Sequence, residues 1–325
     1  MSRLTRPTFR SATAGVAFCL AFAGALLVSV VLFAAFPKDI AQWCYAFVAP
    51  TLFVAAVLVA SAVDGTDFVE ALGLKRAPRW WQAGLIVALA VACIVAFYPL
   101  ASWVAQLLAL MGYKGGPNYA DYTSSWGNMV LGLVAMALMP ALGEEALCRG
   151  MAFGALRQRG TYYGILLSAL LFALLHGNPV QLVHQFFIGV VMAVLVHLTR
   201  TVWSAVIFHF CNNAVVIVYD FAYTQCGWTY TIPWWALLIM FVVGSLAVVA
   251  LTWLFGRLTV RRAAPREGAY DEQPPTAGAR VRRALDVHGE YVPYVRGQGM
   301  DVMYIALAVV GAVWLANTIA GWITV

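Results

Sequence analysis

Long apolar runs constrain this chain more than any other feature. Nine follow one another between short polar connections, at about 12–36, 41–63, 80–111, 127–158, 162–176, 180–198, 202–221, 234–255 and 302–324. Most reach the roughly 20 residues that cross a hydrocarbon core. Lipid offers no water to an unpaired backbone N–H or C=O, so such runs must be helical. Composition agrees: 63% of the 325 residues are hydrophobic and 10% are charged, against about 25% charged in a soluble domain. Mean hydropathy is +0.82. The sequence predicts an all-α polytopic membrane protein of about nine transmembrane helices. The run at 162–176 is the shortest.

A formal charge of +6 and a pI of 9.1 raise nucleic acid as a partner. The position of the basic residues argues against it: they lie between apolar runs, where a membrane protein keeps its cytoplasmic Lys and Arg. The basic start, with Arg3, Arg6 and Arg10, leads into a run too long for a signal peptide, whose apolar region is about 7–15 residues. With the N-terminus in the cytoplasm, seventeen Lys and Arg fall on the cytoplasmic side. Lys38 and Lys114 fall outside, and Arg149 lies within a run. This split predicts N-terminus in and C-terminus out; the expected location is integral to the plasma membrane of a prokaryote.

The runs divide the chain into spans one to three (1–126), a core of spans four to seven (127–222), span eight (223–256), a basic linker (257–301) and span nine (302–325). The linker holds eight arginines and four prolines and reads as a solvated cytoplasmic segment. The six cysteines form no CxxC pair, so neither a disulfide framework nor a zinc ribbon is indicated.

Chemistry concentrates in the core. Glu144, Glu145 and Arg149 stand in an apolar run, where each charge costs about 3 kcal/mol or more at mid-bilayer. Arg149 follows Glu145 by four residues, so on a helix the two share a face and neutralise one another. Glu144 lies about 100° round the helix and has no such partner. Gly160, at a predicted turn, is sixteen residues from both Glu144 and His176. An antiparallel hairpin would put both about 24 Å above that turn, facing each other at one depth. His209 and Asn213 share a face at i, i+4. His209 is only nine residues from Arg200, about 14 Å by the same rise, so its height matches imperfectly. His184 and His197 read as hydrogen-bonded to backbone or facing the interface, and His288 falls in the linker.

No H-E-x-x-H, G-x-S-x-G, P-loop or paired intramembrane aspartate is present. Glu144-Glu145-xxx-Arg149, Phe172-xxx-His176 and His209-xxx-Asn213 resemble, in order, the three motifs of the CAAX-protease and bacteriocin-processing (CPBP, or Abi) family. The resemblance spans about 127–219. It implies an intramembrane endopeptidase in which Glu144 and His176 activate a water, and His209 and Asn213 stabilise the oxyanion. Glu145, Arg149 and Phe172 would support them. No cofactor is required in this reading. A metalloendopeptidase variant would bind Zn through Glu144, His176 and His209; Glu144 lacks the local H-x-x-x-H partner of a zincin, which favours the metal-free form. The substrate would be a peptide or protein reached from the membrane or the cytoplasmic side. The alternative is a non-catalytic bacteriocin-immunity or scaffold membrane protein. A proton-coupled transporter fits less well, since no repeat and no matched pair of broken helices is present.

Overall fold

A computed structural model describes residues 9–115, 119–228, 231–261 and 302–323. The described residues are helical and irregular, with no strand among them. Eight helices are long and apolar enough to cross a membrane. They are α1 (Ser11–Ala35), α2 (Lys38–Asp64), α4 (Trp80–Leu110), α6 (Trp126–Arg159), α8 (Pro179–Thr199), α9 (Trp203–Gln225), α10 (Trp234–Arg261) and α11 (Val302–Ile323). Two one-turn helices, α3 (Phe68–Ala71) and α5 (Ala120–Thr123), lie in connections. The ninth run forms α7 (Thr161–Leu175), which is apolar but has only 15 residues. At 1.5 Å per residue it rises about 22 Å, short of a core about 30 Å thick.

Helix ends follow local chemistry. Asn178 accepts the N–H of Val180, and Pro179 starts α8 where no N–H is needed. Asp67 accepts from Val69 and Glu70 to start α3. The region read as a linker from 257 begins with residues that are still helical, because α10 runs on to Arg261. The rest of it, with His288, lies outside the described residues, as do Arg3 and Arg6.

Helix α6 carries Glu144 and Glu145 and is not uniform. It is π-helical over Leu133–Leu138, α-helical over Met139–Glu145 and π-helical again over Ala146–Ala152. Such wide turns in an α-helix frequently accompany functional sites. Helices α2, α7, α8 and α9 pack around it, α4 packs on α8, α9 and α10, and α11 packs on α1. Close approach of α2 and α6 depends on Gly143: a Cβ there would lie 2.5 Å from the carbonyl oxygen of Pro50. That contact fixes the depth of Glu144, one residue on.

The turn between α8 and α9 is buried. Thr201, Val202 and Ser204 are each 3% exposed or less, whereas Gly160 is exposed. The segment after α3 covers it: Val202 N–H donates to the Leu72 carbonyl at 3.0 Å, and the Trp203 indole donates to Leu74 at 3.0 Å.

Gly143→Ala should destabilise by about 1–3 kcal/mol, since a methyl group must be forced between two backbones. Gly154→Ala, with nothing within 4 Å of the new Cβ, should be neutral or stabilising. Thermal unfolding of the two variants in detergent checks the contrast.

Candidate active site

Glu145 and Arg149 are buried together. Arg149 Nη1 donates to Glu145 Oε1 at 2.9 Å, and both side chains are 0% exposed. Arg149 Nη2 donates to the Gly189 carbonyl of α8 at 3.1 Å, so the pair also ties α6 to α8. The guanidinium stands 4.2 Å from the centre of the Phe172 ring, an attraction worth about 2 kcal/mol or more when desolvated. The same ring meets His176 and His209 edge-on, at 4.9 and 5.6 Å between centroids. Phe172 is therefore the apolar partition of a charged cluster.

His209 differs from the sequence reading. Its Nδ1 is 2.9 Å from Glu145 Oε1, so it joins the Glu145–Arg149 pair. That leaves only Nε2 for any other partner. His176 Nδ1 lies 2.9 Å from the Phe172 carbonyl. A carbonyl only accepts, so Nδ1 carries the proton and the lone pair is on Nε2. Asn213 donates to the Met136 carbonyl at 3.1 Å. Pro140 brings no N–H to that carbonyl four residues back, and the amide of α9 serves it instead. One of the two Asn213 N–H groups remains uncommitted by this bond.

Glu144, His176 and Asn213 line one cavity of about 340 Å³, with Tyr45, Gln181 and Gln185 also on its wall. Glu144 Oε2 has no hydrogen-bond partner among the described residues. Tyr119 and Tyr122 close one side. Their segment is fastened to α2 by the Tyr122 hydroxyl, which donates to the Gln42 carbonyl at 3.1 Å. It is fastened to α9 by Thr123, which donates to Asp220 at 2.6 Å. His209, Glu145 and Arg149 are not on this wall; they stand behind it. His184 and His197 are not on it either.

Sequence reasoning missed Tyr45, Tyr119, Tyr122, Gln181 and Gln185. The two glutamines carried a signal: polar, four apart, at the start of an apolar run. The tyrosines carried none, because they come from α2 and a connection distant in sequence.

Among the described residues no three His, Cys, Asp or Glu side chains are grouped to hold a metal ion, and His209 turns its Nδ1 to Glu145.

Residues 125–215 match the family described as Type II CAAX prenyl endopeptidase Rce1-like. Over these residues the chain is similar to that family. The match begins at the residue capping α6 and ends within α9, so it takes in all three motifs and the cavity wall they supply. Neither a curated protein nor a solved structure matches the chain.

Arg149→Met should cost about 3–5 kcal/mol, because it leaves Glu145 buried without its cation. Adding Glu145→Gln in the same chain should recover a large part. Unfolding midpoints of the single and double variants measure the difference; equal midpoints for both would remove the ion pair from the account.

Proposed function

We propose that the chain is an intramembrane endopeptidase that cleaves a peptide bond with a water activated by Glu144 and His176. The observation that carries this reading is the shared cavity, where a carboxylate oxygen without a partner stands with an imidazole and an amide. The family matched is one of endopeptidases, which supports the class of reaction.

Each group has a task its geometry allows. His176, held at Nδ1 by Phe172, presents Nε2 as acceptor to the water. Glu144 takes the proton as the water oxygen attacks the peptide carbonyl. The carbonyl oxygen becomes an oxyanion, and the free N–H of Asn213 donates to it. Glu144 then returns the proton to the leaving amine, so the step balances without another reactant. His209 enters differently: with Glu145 accepting at Nδ1, His209 donates through Nε2 only as an imidazolium. Glu145 and Arg149 hold His209, while Phe172 separates the cluster from His176.

Two measurements test the reading. Glu144→Gln and His176→Ala should each lower cleavage by about 10²-fold or more while the protein keeps its unfolding midpoint. Cleavage at the wild-type rate by Glu144→Gln ends the proposal. The mechanism needs no metal, so dialysis against EDTA should leave the rate within about twofold, a change under about 0.5 kcal/mol in barrier. Loss of activity restored by one equivalent of Zn²⁺ would replace this mechanism with the zinc form.

A further inference from the structure

The cavity belongs to one end of the bundle. Tyr119 and Tyr122 lie in the connection before α6. His176 follows the last residue of α7, Gln181 and Gln185 are in the first turns of α8, and Asn213 is at the middle of α9. Contacts confirm which termini share this end: the Trp322 indole donates to the Met111 carbonyl at 3.1 Å, joining the close of α11 to the close of α4. At the other end Arg10 meets Asp64 at 2.7 Å, joining the start of α1 to the close of α2. Arg159 stands 5.7 Å from the Tyr304 ring, near the start of α11.

The two ends differ in charge. Arg10, Lys75, Arg76, Arg79, Arg157, Arg159 and Arg200 all belong to the end away from the cavity, with Arg257 and Arg261 at the close of α10. Six further arginines follow in 262–301. The cavity end has Lys38 and Lys114. Lys and Arg in short connections orient a membrane protein, and acidic residues count little. Depth agrees: Glu144 and His176 are sixteen residues from Gly160, about 24 Å along a helix in a hydrocarbon core about 30 Å thick.

We infer that the cavity faces the non-cytoplasmic side of the membrane. The substrate is then a peptide segment exposed at the outer face, such as an outer loop or a juxtamembrane stretch of a membrane-anchored protein. It is not a cytoplasmic chain end, which revises the approach from the cytoplasm expected above. The substrate class rests on the peptidase reading; the facing of the cavity does not.

Cys226 is an exposed native cysteine in the connection after α9, at the cavity end. Arg76 is exposed at the opposite end. Intact cells carrying the full chain are treated with a membrane-impermeant maleimide, before and after permeabilisation. Cys226 should react in intact cells, and Cys226→Ser should abolish that label. A chain with Arg76→Cys and Cys226→Ser should react only after permeabilisation. The reverse pattern overturns the inference. In the second arm, peptides in the medium and the cytosol are compared between wild type and Glu144→Gln. Products that depend on Glu144 should come from outer segments; products confined to cytoplasmic chains overturn the substrate class. No Glu144-dependent product in either fraction would sink the peptidase reading, with the facing still decided by the labels.

Discussion

Glu145 accepts two hydrogen bonds through a single oxygen, one from the Arg149 guanidinium and one from the His209 imidazole. A carboxylate fully removed from water, as this one is, is tolerable only if such partners stay in place. Those partners come from α6 and α9, and Arg149 in turn reaches α8 through Gly189 and α7 through the face of Phe172. Four helices therefore cannot shift independently without exposing a charge to an apolar interior. The pair is less a source of net stability than a lock on relative position, and the cavity wall is built on the residues next to it.

The two adjacent glutamates show how one helix separates their tasks. Glu145 points into the cluster, and Glu144, one step round, points into the cavity with an unpartnered oxygen. The irregular winding of α6 serves this division. Its π-helical turns lie on either side of the α-helical segment that ends at Glu145. Pro140 within that segment leaves the Met136 carbonyl to be met by Asn213. The Asn213 amide thus ties α9 to α6 by hydrogen bonding as well as by apolar packing.

Much of this was legible in residue spacing. The i, i+4 relation gave the Glu145–Arg149 pair because it depends only on one helix. Glu144 and His176, equally distant from Gly160 along the chain, both line the cavity. Spacing from Arg200 left the height of His209 imperfectly matched; its bond to Glu145 depends on the packing of α9 against α6, which spacing along one helix does not carry. The nine runs also held, with the reservation that α7 is shorter than a full crossing. The tyrosines on the wall remained hidden because α2 and the connection before α6 meet the core only through tertiary packing.

The shortness of α7 has a physical use. A helix that stops short of one membrane face brings its last residue, and the start of α8, below that face. His176, Gln181 and Gln185 sit at the junction of α7 and α8, where their side chains line the cavity. Non-helical backbone is tolerated at such a depth only where it is buried in protein or borders a wet cavity. The tyrosine-bearing segment at 119–123, tied to α2 and α9, supplies that cover. A water and a peptide carbonyl could then meet Glu144 in a space shielded from lipid, near the membrane face toward which the short helix points.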